Sequence, residues 1–231
     1  MSGERSRNRL RASACVLGML AACLCSGMLL VSPSPASAQL LVDETELLAR
    51  AAASRAKGMQ DAPVLVYEIS DFQCPYCSNF ASTVFPLIDS LYVQTGRVQW
   101  VFVNLPLPSH PRAWGAAKAA LCAGAVADEF WSYRERLFSE QRKWVGADDA
   151  THVFIQFARE AGIPVAAFQD CLLMDRVAPL LLEDVLFAAK TDVSGTPTFI
   201  IHPDRNVVGF KSFEEWQVII EAALERHADT P

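Results

Sequence analysis

Two cysteines three positions apart, Cys74 and Cys77, fall in the stretch Asp71-Phe72-Gln73-Cys74-Pro75-Tyr76-Cys77. The residues before it, Val64 to Ile69, read as a buried strand, and those after it, Asn79 to Val93, as a helix. A Cys-x-x-Cys pair at such a handover sets the first sulfur beside the free N–H groups of a helix start, where the macrodipole favours an anion. Thiols so placed have pKa values of about 3.5 to 7.5, against about 8.5 for a free cysteine. Cys77, one turn further in, is expected to be buried and to resolve what Cys74 attacks. The chemistry this spacing offers is thiol–disulfide exchange. The competing use of such a pair is half of a zinc site, which needs a second close pair of ligands. Cys122 and Cys171 are 49 residues apart and no Cys-x-x-His occurs, so the spacing argues against zinc.

The elements that must hold the pair follow from the pattern around it. Leu40 to Met59 carries an apolar stripe through Leu41, Leu47, Leu48 and Ala51 and predicts a helix stopped near Gly58. Pro86 should kink the helix that follows Cys77. Arg97 to Leu105 is continuously apolar enough for a second strand buried on both faces, parallel to the first. Residues 112–192 then read as helices without a strand: Ala113–Ala125, Asp128–Phe138, Asp148–Ala161, Pro164–Leu173 and Val177–Lys190. Thr198–His202 and Val207–Phe210 are short strands about a Pro-Asp-Arg-Asn turn, and Phe213–His227 is a last helix. The order is β-α-β, a helical block, then β-β-α. The block is read as an insertion, because the strands on either side of it need each other to bury their faces.

The first 38 residues read as a targeting segment. Arg5, Arg7, Arg9 and Arg11 precede an apolar run from Ala12 to Val31, and Ala36-Ser37-Ala38 fits a small-x-small cleavage site. The run is also long enough for a membrane anchor, and Leu20-Ala21-Ala22-Cys23 resembles a lipoprotein box. Cleavage after Ala38 would remove four Arg and one Glu, taking the formal charge from −6 to −9. So acidic a chain argues against nucleic acid as a partner. It would also leave four cysteines, an even number, in a compartment where disulfides persist.

A second motif, Gly195-Thr196-Pro197-Thr198-Phe199, begins 118 residues after Cys77. Its proline opens a strand, a position proline tolerates, and a cis Thr196–Pro197 bond would turn the Thr196 main chain towards a neighbouring segment. Strand–CPYC–helix followed by GTPTF–strand–turn–strand–helix resembles the thioredoxin fold. With the helical insertion and the exported start, residues 62–225 are similar to the DsbA-like thiol:disulfide oxidoreductases. The organisation so implied is a signal peptide (1–38), an N-terminal helix (39–61), a thioredoxin-like domain (62–106 and 195–231) and a helical insertion (107–194).

The resemblance implies roles residue by residue. Cys74 would be the nucleophile, Cys77 the resolving thiol, Pro197 a cis-proline facing them and Thr196 the residue pairing its backbone with a bound substrate chain. Pro75 and Tyr76 would tune the redox potential. Glu68, six residues before Cys74, matches a buried acid beneath the site, but the basic partner usual on the next strand is missing. A lone buried acid would have a raised pKa and could shuttle a proton to Cys77; on a solvated strand face it would do nothing. Some members carry a second pair, and Cys122–Cys171 is expected to be a structural disulfide, two buried free thiols being the alternative. Substrates would be reduced or misfolded exported proteins, and reoxidation would come from a DsbB-like or DsbD-like membrane partner. Neither cofactor nor metal is expected. An isomerase or reductase of the same fold, or a peptide-binding chaperone, would keep the fold and change the use. Asp71 is expected to support the turn or cap the helix, and His110, His152, His202 and His227 to be ordinary surface or core residues.

Overall fold

A computed structural model describes residues 35–202 and 205–228, with side chains from 44 to 202 and from 206 to 228. The readings made on residues 1–34 lie outside the described residues. The chain runs α1 (Pro35–Ser54), β1 (Ala56–Lys57), β2 (Val64–Ser70), α2 (Pro75–Thr83), α3 (Phe85–Ile88), a π-helical turn (Asp89–Val93) and β3 (Val98–Asn104). Six helices follow: α4 (Ala113–Ala127), α5 (Phe130–Ser139), α6 (Gln141–Val145), α7 (Ala150–Glu160), α8 (Val165–Leu173) and α9 (Ala178–Lys190). β4 (Thr198–Ile201), β5 (Arg205–Val208) and α10 (Phe213–Ala228) close the fold. No helix among the described residues is long and apolar enough to cross a membrane.

The strands form one sheet in the order β1-β3-β2-β4-β5. β2 and β3 are parallel, Val64 opposite Val98 and Ser70 opposite Asn104. β4 runs antiparallel to β2, with Ile69 opposite Thr198. This is the α/β arrangement expected from the sequence, with the second strand pair laid against the first across the helical block. That register places Thr198, one residue after Pro197, beside the end of β2 that leads into the Cys-x-x-Cys turn.

Alternation along β2 sends Val64, Val66, Glu68 and Ser70 to one face and Tyr67 and Ile69 to the other. On the first face Val66, Phe80, Trp100, Phe199 and Trp216 form an aromatic core beneath α2 and α10. On the second, Ile69 and Val103 pack with Ala188 and Val193 at the end of α9. The largest apolar cluster lies in the helical block and reaches the site, joining Phe72, Cys74, Cys77 and Phe102 to Ala120, Phe130, Leu137 and Trp144.

Several details differ from the sequence reading. α1 stops at Ser54, and the chain makes a two-residue strand antiparallel to β3, pairing Ala56 with Val101. Two residues carry no readable alternation, so this edge strand was not foreseen. Gly58 makes the turn after it: its φ is +94°, and a Cβ there would lie 2.6 Å from the Val98 carbonyl oxygen. The helix after the cysteines starts at Pro75 rather than Asn79, because proline suits the first helical position. It breaks at Val84, just before Pro86, as the missing N–H requires. The cap of α7 is Asp149, accepting from Thr151 and His152 N–H, and not Asp148. The short helix α6 was not expected.

Cys122 on α4 and Cys171 on α8 are joined as a disulfide, and both are fully buried. Closing a loop of that length contributes about 4 kcal/mol through the entropy of the unfolded chain. The Cys122→Ala/Cys171→Ala protein is expected to lose stability of that order in urea unfolding monitored by circular dichroism. A loss below about 1 kcal/mol would show that the bond does not constrain the unfolded chain.

Candidate active site

The turn from β2 into α2 is built around Asp71, a carboxylate with no exposed surface. Its Oδ1 accepts from the Gln73 N–H at 2.6 Å, which closes a tight side-chain-to-backbone turn. Its Oδ2 accepts from the Leu107 N–H at 2.8 Å and lies 2.8 Å from His110 Nδ1. Asp71 supports the turn as expected, while His110 is more than a bystander: it anchors the segment after β3 to the loop. Residues before and within the helical block brace the same loop. The Arg112 N–H donates to Gln73 Oε1 at 2.9 Å. Gln141 Nε2 donates to the carbonyls of Phe72 at 2.7 Å and Cys74 at 3.1 Å. The Phe72 ring stacks against Phe102 and packs on Phe138, with centroids 5.1 and 4.9 Å apart.

Cys74 is the N-cap of α2, in extended conformation at φ −71° and ψ 125°, with Pro75 opening the helix behind it. Both thiols are free. Cys74 keeps 4% of its surface exposed and Cys77 none. The Thr196–Pro197 bond is cis, and the Cys74 thiol faces the Thr196 carbonyl, Sγ to O being 3.5 Å. The two motifs, over a hundred residues apart in the chain, therefore meet at one sulfur.

The two thiols are driven in opposite directions. Hydrogen bonding from Cys77 lowers the Cys74 pKa to about 5, aided by Thr196 and by the N–H groups of Cys77 and Tyr76, against the opposing effect of burial. Burial pushes Cys77 well above the ordinary thiol range, and the Cys74 charge pushes it further. The helix start does contribute, through those N–H groups, but the neighbouring thiol is the larger effect. At neutral pH one sulfur is a thiolate and the other holds a proton. Tyr76 is 66% exposed at the rim, and Pro75 lines a groove of about 620 Å³ between α2 and the α5–α6 connection.

Glu68 corrects the sequence reading. It is fully buried, as the resemblance implied, but it is not alone. Arg134 Nη2 donates to both carboxylate oxygens at 2.8 Å, and Trp100 Nε1 donates to Oε2 at 2.9 Å. The base sought on the neighbouring strand comes from α5 in the helical block. The Arg134 guanidinium is itself enclosed by aromatic faces, 4.6 Å from the Phe85 centroid and 5.1 to 5.2 Å from Phe102, Trp131 and Phe138. The lone acid free to move a proton is replaced by a fixed ion pair. One sequence signal did point at Arg134. Phe130, Tyr133, Leu137 and Phe138 are the apolar stripe of α5, and Arg134 occupies a position inside it, where a charge requires a buried partner. Phe130 and Trp144 belong to the core of the helical block, and Trp131 packs against it.

Removing one member of a buried pair strands the other charge, at a cost of about 3 to 5 kcal/mol. Arg134→Met should therefore destabilise the protein by that amount in urea unfolding. Adding Glu68→Gln, which removes the stranded charge, should recover much of it. A single variant within about 1 kcal/mol of wild type would contradict the pairing.

Comparison with known proteins agrees with this geometry. The family model described as Thioredoxin matches residues 51–222. Disulfide bond formation protein D of Bacillus subtilis is 29% identical over 177 residues, covering 73% of this chain and 76% of that protein. The Na(+)/H(+) antiporter NhaA 3 of Salinispora tropica is 34% identical over 151 residues, covering 65% of this chain but 22% of the antiporter, so this chain spans about a fifth of that relative's length. The crystal structure of oxidised BdbD from Bacillus subtilis superposes with a TM-score of 0.65 at 26% identity, covering 74% of this chain and 92% of that one. With three quarters of its length matched and its two cysteines at the start of α2 facing a cis-proline loop, the chain belongs to the thioredoxin family.

Proposed function

We propose that this chain is an exported thiol–disulfide oxidoreductase that forms disulfides in folding secreted or periplasmic proteins. The observation that carries the reading is the arrangement at the start of α2, where Cys74 caps the helix and faces the cis Thr196–Pro197 loop with Cys77 buried behind it, which lowers the Cys74 pKa to about 5 and raises that of Cys77. In the oxidised enzyme a substrate thiolate attacks Cys74, the more accessible of the two. The Cys74–Cys77 bond breaks and its electron pair goes to Cys77. A second substrate thiolate then attacks the mixed disulfide, leaving the substrate oxidised and Cys74 as a thiolate. Because Cys74 is such a stable anion, the reduced enzyme is the favoured state, which is the property of an oxidant. Thr196, through its main chain, and Pro197 would seat the substrate segment across Cys74, and Pro75 and Tyr76 would set the poise. Glu68, held by Arg134, has a positioning part rather than the proton-carrying one.

Export is supported by the basic, then apolar, then small-residue order of residues 1–38. The substrates would be reduced exported proteins, and a DsbB-like or DsbD-like membrane protein would exchange electrons with the Cys74–Cys77 pair. The relative named disulfide bond formation protein D supports the disulfide-forming direction.

Equilibration of the Cys74–Cys77 pair with a glutathione buffer should give a potential near that of a strong oxidant, about −120 mV. Cys74→Ser should leave reoxidation of a reduced test protein at its uncatalysed rate. A potential near about −270 mV would make the protein a reductase. Full activity in Cys74→Ser would remove the enzyme reading altogether and favour a peptide-binding chaperone.

A further inference from the structure

The groove beside Pro75 starts one residue from Cys74 and has no part in the reading so far. Its volume is about 620 Å³. One wall is the outer side of α2, with Pro75, Ser78, Asn79 and Ser82, and the other is residues 138–143 of the α5–α6 connection. Gln141 in that second wall donates to the Cys74 carbonyl at 3.1 Å, so both walls adjoin the reactive residue. The Ser78 hydroxyl donates to the Phe138 carbonyl at 3.0 Å and joins one wall to the other. The Ser82 hydroxyl is turned back onto the Ser78 carbonyl at 2.8 Å. The cleft is thus fixed before anything enters it, which lowers the ordering cost of binding.

Length and charge narrow the occupant. From Pro75 to Ser82 the helix rises about 10 Å, the span of about three extended residues. An extended polypeptide offers one donor and one acceptor per residue along its main chain. Asn79 is exposed, and its side-chain amide, unused among the described residues, can meet both. Of the charges in the walls, Glu140 is held by Arg136 at 2.9 Å and by Lys143 at 3.2 Å. Arg142 is exposed and has neither an ion pair nor a side-chain hydrogen bond among the described residues. Its guanidinium is a planar fork of donors that matches a carboxylate. The groove therefore carries an uncompensated positive charge, on a chain whose formal charge is −6. A substrate chain has to run away from its cysteine in two directions, and this cleft begins where one of them leaves.

We propose that this groove seats the stretch of substrate chain next to the attacking cysteine, and that Arg142 is its specificity residue, favouring an aspartate or glutamate within about three residues of that cysteine. This rests on the exchange chemistry proposed above and names the class of substrate it prefers. Asn79 bonds the main chain of the seated segment, and Arg142 its carboxylate. The overall field of an acidic chain opposes the approach of an acidic partner. A preference for acid therefore has a local origin and cannot come from net charge. An exposed ion pair is worth at most about fivefold in affinity, so Arg142 biases the choice among substrates without confining it to one.

The test uses the whole oxidised protein and peptides with two cysteines, in which Asp or Lys occupies in turn each of the three positions flanking either cysteine. Oxidation of each peptide is followed by the protein's tryptophan fluorescence. Each rate is divided by the rate with dithiothreitol, a dithiol with no flanking chain, on the same variant. In wild type the Asp peptide should exceed its Lys counterpart about fivefold at one of these positions. Arg142→Glu should reverse that order, and Arg142→Lys, which keeps the charge and loses the fork, should retain it in part. Ser82→Trp, filling the groove from an exposed position, should lower the ratio for every peptide. A change in the sulfur pair alone would move the peptide and dithiothreitol rates together and leave both ratio and order as they were. Asp and Lys peptides oxidised equally at every position, or an order that Arg142→Glu leaves intact, would overturn the assignment of the groove while the exchange reading stands. If wild type oxidises no peptide, the exchange reading fails and the groove assignment with it.

Discussion

A single negative charge at the start of α2 sets the demands that the rest of the fold meets. Cys74 Sγ must be surrounded by donors, yet remain within reach of another protein's sulfur. The structure does this by capping α2 with the cysteine itself and setting around it the Cys77 thiol, the N–H groups of Tyr76 and Cys77 and the Thr196 side chain. Burial opposes the charge, so the donors have to outweigh it. Because the largest of them is Cys77, whose proton is retained by its own burial, the two thiols are best treated as one coupled unit rather than as two sites.

That unit is rigid because the helical block holds it. Gln141 on α6 reaches two carbonyls of the turn, Phe138 on α5 packs on Phe72, and Arg134 on the same helix neutralises Glu68 under the sheet. Seen this way the inserted helices are part of the site. A loop with bonds this dense can present one sulfur reproducibly, which matters for a reaction requiring three sulfurs nearly in line. The buried ion pair is not a strong argument for stability, since desolvation offsets most of its attraction. Its effect is to make the loss of either partner costly, which ties α5 to β2.

The sequence made the site's chemistry readable because spacing and element type coincided there. Cys74 and Cys77 stand at a strand-to-helix boundary, and Thr196-Pro197 opens a strand, so local pattern alone places both motifs. Strands β2 and β3 were readable from their apolar runs. What could not be read were contacts between residues far apart on different elements. The bond between Asp71 and His110 spans 39 residues, that between Glu68 and Arg134 spans 66, and that between Gln141 and Cys74 spans 67. No local pattern records such pairings. The family pattern puts the partner of Glu68 on the neighbouring strand, whereas the local clue to its true partner is the charge of Arg134 inside the apolar stripe of α5. The two-residue β1 and the five-residue α6 are too short to show periodicity.

The account stands on Cys74 being ionised in the reduced protein at neutral pH. Alkylation of reduced protein by iodoacetamide, followed as a function of pH, measures this directly because only the thiolate reacts. With the Cys74 pKa lowered to about 5, the rate should be near its plateau at pH 7 and fall away as pH drops through about 5. A rate that is small at pH 7 and still climbing at pH 9, as an ordinary thiol gives, would contradict it.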